Sequence, residues 1–252
     1  MIRRVISFIV GHTSPLCLFA GAILFSGLQA NGAAGESVNG SGKPRTEERS
    51  IGDVTEVTTS GGGTVEITCG DKPSVSVSAD DNILPLLEIK TNNGKLTFET
   101  KFGFEINPVT PITYVVTIPK LKKLTVSETG NVKAASLKGD ALTIKLSGAG
   151  SVSMKDIDYM SLSLTLDGAG RATLKGKAEK AMFRLSGAGE ILAEDLKSGK
   201  NDSEVSGIGK ATVWATDELK VNVSGTGKVE YKGKPRIEQS VSDKGNVKAI
   251  EE

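Results

Sequence analysis

The sequence predicts an all-β fold: a parallel β-solenoid, or β-helix-like stack, of 18–20-residue coils with an irregular β segment capping its N-terminal end. Three observations carry this. A short glycine motif returns seven times, at Ser127–Gly130, Ser147–Gly150, Asp167–Gly170, Ser186–Gly189, Ser206–Gly209, Ser224–Gly227 and Ser242–Gly245. The residue before each motif is apolar every time, from Val126 to Val241. Apolar and polar residues alternate on both flanks, as in Leu124 and Val126 before the first motif and Val132 and Ala134 after it. A fixed period of this size means one small unit stacked on its own copies. Alternation with period 2 means half-buried strands. Strictly repeated units favour stacked coils over a meander of antiparallel hairpins, which the same alternation also allows.

Residues 1–30 read as a secretory signal peptide: Arg3 and Arg4, an apolar stretch to Leu28, then Ala30 at a cleavage point. Residues 31–50, rich in Gly, Ser and charge, read as a flexible linker. Residues 51–120 form the irregular β part. There Val65–Ile67 and Val75–Val77 suggest one hairpin, and Asn92-Asn93-Gly94 marks a second. Between them Asp80-Asp81-Asn82 suggests the cap of a helical turn over Ile83–Leu87. A strand over Tyr114–Ile118 leads into the first repeat. This half is expected to cover the open end of the stack, which would otherwise be a bare sheet edge.

Residues 121–252 are the repeats. Each reads as strand, glycine corner, strand, return loop. The corner glycines are Gly130, Gly148, Gly150, Gly168, Gly170, Gly187, Gly189, Gly207, Gly209, Gly225, Gly227 and Gly245. They suit a sharp bend at positive φ, with Ser or Asp ahead of them bonding nearby backbone. The last repeats degrade, Ser203 and Gln239 standing at core positions.

Composition narrows the chemistry. Without residues 1–30 the chain has 29 basic and 30 acidic side chains, so no basic field for nucleic acid is expected. His12, the single histidine, lies in the signal, which removes histidine-based catalysis and ordinary zinc sites from the rest. Cys69 is then the lone cysteine, and no disulfide is expected. No cofactor or metal motif stands out.

Val65-Glu66-Ile67 with Gly70-Asp71, then Asp80 to Pro85, the link Ile118 to Leu124 and the serial Ser-Gly-Ala-Gly corners together resemble the DUF2807 family, described as "putative auto-transporter adhesin, head GIN domain". The resemblance spans residues 51–250. It implies a β-helix-like fold and an exported protein in the envelope of a Gram-negative bacterium, periplasmic or at the cell surface. It supplies no catalytic residues. No strands for a C-terminal transmembrane barrel are expected after Ile250.

The candidate contacts are few. Among Trp214, Tyr159 and Tyr231, alternation puts Trp214 outside, making it the best single ligand contact. Lys145, Arg171, Arg184, Lys210, Lys220 and Lys228 fall at outward positions, where they serve solubility or form a stripe for acidic glycans. Asp156 and Asp158, or Glu194 and Asp195, would serve a glycoside hydrolase or lyase if paired across a groove. The expected function is therefore a non-enzymatic envelope module that binds a surface glycan or an envelope protein, or a scaffold that self-associates. A carbohydrate-active enzyme is the alternative.

Overall fold

A computed structural model describes residues 35–242 and 244–250. It is a β-solenoid of about six turns with coils roughly 20 residues apart. The expected signal peptide at 1–30 lies outside the described residues.

The strands run in chain order as β1 (Glu36–Asn39), β2 (Pro44–Ser50), β3 (Glu56–Ser60), β4 (Thr64–Cys69) and β5 (Ser74–Asp80). A 3-10 turn at Leu84–Leu86 precedes β6 (Leu87–Asn92), β7 (Lys95–Thr100), β8 (Phe104–Asn107) and β9 (Thr113–Ile118). The repeats supply β10 (Lys123–Ser127), β11 (Asn131–Ala135), β12 (Lys138–Gly148), β13 (Ser151–Gly168), β14 (Arg171–Gly187), β15 (Glu190–Gly207) and β16 (Lys210–Gly225). Shorter strands β17 (Lys228–Lys232), β18 (Arg236–Val241) and β19 (Asn246–Ala249) complete the stack.

Like residues stand above like residues. Leu124 pairs with Ile144, Ile144 with Leu164, Leu164 with Phe183, Phe183 with Ser203 and Ser203 with Val221, all in parallel register. All six are at most 1% exposed. Each coil thus adds one rung to continuous interior columns, and each buried Leu, Val or Ile contributes about 1.5–3 kcal/mol. Ser203 is tolerated because its hydroxyl donates to Asn201 Oδ1 at 2.6 Å.

Four expectations need correction. First, the return segments are not loops. Tyr159 pairs with Ala178 and Lys177 with Lys197, so a coil has a third paired face beyond the two that flank the corner. Strands such as β13 therefore run through almost a whole coil. The bend into this face falls at Ser136, Asp156 and Gly176, all at positive φ. Second, the parallel stack starts earlier than residue 121. β3, the bend Gly61–Gly63 and β4 form a full rung on β10 and β11, and β7 and β9 form another beneath it.

Third, β4 and β5 do not make a hairpin: β9 lies between them, parallel to β4 and antiparallel to β5. The Asn93-Gly94 hairpin does form, joining antiparallel β6 and β7 with φ of 49° and 74° at its tip. The antiparallel strands β6, β5 and β2 close this end.

Fourth, residues from Glu36 onward are not a loose linker. β1 pairs with β8, and β2 pairs with β5 along seven residues. Asp80 holds this segment. It is fully buried and accepts bonds from the amides of Gly42, Val109 and Thr110 and from the Thr110 hydroxyl, at 2.7–3.0 Å. Asn82 adds a bond to the Asn39 carbonyl at 2.8 Å and accepts one from the Ser41 amide at 2.9 Å. The acidic run is thus a tie between distant segments. The 3-10 turn has no side-chain cap.

Candidate binding faces

The corners set the geometry of every face. Gly148, Gly168, Gly187, Gly207 and Gly225 have φ between +98° and +123°. The second glycine of each motif has a different reason to be small. A Cβ on Gly170 would lie 2.8 Å from the Gly150 carbonyl oxygen one coil below, and on Gly209 2.7 Å from that of Gly189. Gly130, Gly150, Gly189, Gly227 and Gly245 share this tight column, each with a backbone or side-chain atom within 3.3 Å of such a Cβ. Backbone bonds run through the corner from coil to coil, as from Ala169 N to Gly148 O and from Arg171 N to Gly150 O. The corner is therefore sheet continued around a bend. Ser242 Oγ donates to the Gly225 carbonyl at 2.8 Å, and Ser186 bonds the Asp167 carboxylate.

The expected aromatic contacts separate. Tyr159 is a core residue, 2% exposed, its hydroxyl donating to the Leu121 carbonyl at 3.0 Å. Burial pushes that hydroxyl up to about 12. Tyr231 is half-buried against the core. Trp214 is half-buried on the outside, with Lys197 Nζ 5.7 Å from its ring centre. Its position follows from a shortened coil. Between β15 and β16 the register jumps from Ala193↔Val213 to Lys197↔Trp214, so β16 cuts the bend and sets the indole directly in the third-face row.

The outward cations of the first two faces are largely matched. Arg171 pairs with Glu190, Arg184 with Glu204, and Lys210 and Lys228 both with Glu230. Bonds from Lys210 and Lys228 draw the Glu230 carboxyl down to about 2. Most such pairs are exposed and each contributes at most about 1 kcal/mol. What they do is cancel charge along the rows, so these residues do not form the uniform cationic stripe one reading of the sequence expected. Lys145 and Lys220 lie outside these pairs.

Asp195 is bridged to Lys175 at 2.7 Å, which holds its carboxyl below the ordinary range. A general acid needs the opposite shift. Asp156 occupies the bend at φ 53°, and Asp158 stands in register with Lys138 and Lys177. Among the described residues no group of three metal-ligating side chains converges, and no helix is long and apolar enough to cross a membrane.

A family model described as "Putative auto-transporter adhesin, head GIN domain" (DUF2807) matches residues 53–235. Comparison with curated proteins gives no match. Among solved structures, a "putative adhesin" from Bacteroides fragilis superposes with a TM-score of 0.79 at 25% identity, covering 84% of this chain and 100% of its own. A "putative lipid binding protein" from Parabacteroides distasonis gives 0.73 at 26%, over 85% and 100%. A "putative adhesin" from Parabacteroides merdae gives 0.66 at 26%, over 85% and 99%. The matched span takes in the cap strands β5 and β6 and the glycine-cornered coils as far as β17, and the chain belongs to the DUF2807 adhesin-like family.

Proposed function

We propose that this protein is an exported, non-enzymatic module of the bacterial envelope that binds a surface polysaccharide or an envelope protein through the outer rows of its stack. The observation that carries the reading is register. From β12 to β16, outward side chains repeat at one position per coil over long parallel pairings. Such columns meet an extended or repetitive ligand at many equivalent points, whereas a reaction needs one site unlike its neighbours. Trp214, the one tryptophan of the chain, is the side chain most suited to gripping a sugar.

The full chain and its Trp214→Ala variant should be incubated with envelope extract and purified surface polysaccharide. Specific capture of polysaccharide by the parent and its loss in the variant is the expected result. Hydrolysis or lyase activity abolished by Asp156→Asn or Glu194→Gln would overturn the non-enzymatic reading. Recovery of the protein only from the cytoplasmic fraction would overturn export.

A further inference from the structure

The third face differs from the other two in how its charges are arranged. Its outer row reads Lys138, Asp158, Lys177, Lys197, Trp214 and Lys232 in consecutive coils. None of the ion pairs among the described residues engages Lys177, Lys197 or Lys232, whereas Arg171, Arg184 and Lys210 on the other faces are each matched by a glutamate one coil away. Asp158 stands in the row itself beside Lys177, and Asp195, which Lys232 also approaches, is bridged to Lys175. Beside the row runs a shallow groove. Asp158, Lys177 and Lys197 line one side, and Met160, Glu179, Gly199 and Thr216 the other. A side chain at Gly199 would crowd the Glu179 carbonyl at 3.0 Å and the Asp217 carboxylate at 3.3 Å, so this stretch of groove stays open.

We propose that this row and groove bind a linear anionic polysaccharide, one carrying carboxylates along its length, laid parallel to the solenoid axis. The inference rests on the reading of the protein as a glycan-binding envelope module and names the ligand class and the face. Three features carry it. Successive rungs are about 4.8 Å apart, so the free ammonium groups recur along a straight line. A line of charge one side chain wide fits an extended polyanion better than the plane of a membrane. The indole of Trp214 sits in that same line, between Lys197 and Lys232. It offers an apolar ring to the C–H face of a sugar while the flanking lysines meet carboxylates on either side. Lys197 rests over the ring at 5.7 Å, a loose contact that a sugar can displace as the lysine turns to an anion.

The test uses the full chain with polygalacturonate as probe and neutral dextran as its uncharged counterpart. Binding is compared for the parent, a Lys197→Gln/Lys232→Gln double variant, Trp214→Ala, and Lys145→Gln, which removes an exposed charge from another face. The double variant changes one exposed and one half-buried surface side chain, neither of them in an ion pair, so it reports on binding even where Trp214→Ala perturbs packing. Expected are salt-sensitive binding of polygalacturonate, none of dextran, a loss of roughly tenfold in the double variant and no change in Lys145→Gln. Failure to bind polygalacturonate, or equal loss in the double variant and Lys145→Gln, would overturn the proposal. So would equal capture of polyglutamate or of phosphatidylglycerol vesicles, which would make the occupant a generic polyanion or a membrane. Capture of a neutral envelope polysaccharide alongside failure with polygalacturonate would remove this inference and leave the broader binding function standing.

Discussion

A single missing Cβ decides whether one coil can sit on the next. At Gly187 the chain has φ +104°, and a side chain would meet the Gly168 carbonyl oxygen at 2.6 Å. Gly187→Val should therefore destabilise the protein by more than about 1 kcal/mol, through backbone strain and lost approach together. An unchanged melting temperature would refute that account. The first corner supplies the converse. There Glu128 occupies the place that Gly148 holds one coil later, with φ of 59°. Left-handed backbone costs a residue with a side chain about 1–2 kcal/mol, offset in part by the extra chain entropy a glycine must lose. Glu128→Gly should accordingly raise stability by about 0.5–1 kcal/mol, read as a shift in denaturation midpoint at constant slope. The motif spacing displayed these corners in the sequence. That the glycines at the two motif positions differ did not show, because the first answers to local φ as well as to the coil below, and the second only to its packing neighbours.

Between elements, the sequence was legible wherever a local pattern announced the partner, and opaque wherever the partner was remote. The Asn93-Gly94 hairpin is local, and it formed. β2 is an edge strand whose Arg45, Glu47, Glu48 and Arg49 gave it the composition of a linker. What orders it is backbone pairing with β5 and the Asp80 tie, which spans 38 residues to Gly42 and 30 to Thr110. The coil β3–β4 was hidden because five strands and a 3-10 turn intervene before β10, which breaks the period. The third face was hidden by its bends, whose register shifts between Met154 and Ile157 and between Thr173 and Lys175 interrupt the alternation.

The Asp80 tie has a pH signature. Burial raises its pKa, but four hydrogen bonds outweigh that and hold the carboxyl below its ordinary value. A carboxylate depressed in the folded state contributes stability that is fully present above its unfolded pKa of about 3.9 and is lost as pH falls through the folded value. Asp80→Asn should melt below the parent at neutral pH, with the gap narrowing below about pH 4. A gap that stays constant down to acid would show that the charge contributes nothing. Tyr159 ties the third face to the Leu121 carbonyl, and Tyr159→Phe should cost about 1–3 kcal/mol by leaving that buried acceptor unpaired. A loss well under that in chemical denaturation would mean water reaches the carbonyl.

At the scale of the whole molecule, each coil touches chiefly its two neighbours, so the stack should behave as a sum of rungs and interfaces. The register makes this testable by deletion. Gly168 and Gly187 are partners in adjacent coils. Removing Ala169–Gly187 joins Gly168 to Ala188 and restores a Gly-Ala-Gly corner. β15 would then lie on β13, with Ile191 over Val152, Ala193 over Met154 and Val205 over Leu166 apolar against apolar, and with the mutually bonded Ser203 and Asn201 over Leu164 and Leu162. Removing only Ala169–Ala178 joins Gly168 to Glu179, which destroys the corner and leaves no second face to stack. The whole-coil deletion should therefore keep a β-sheet circular-dichroism spectrum and a single cooperative transition at reduced stability, while the half-coil deletion should fail to fold. Equal tolerance of the two would mean that the corner does not set register. Failure of both would mean that the stack folds as one indivisible unit, its cap and its coils too strongly coupled for any rung to be spared.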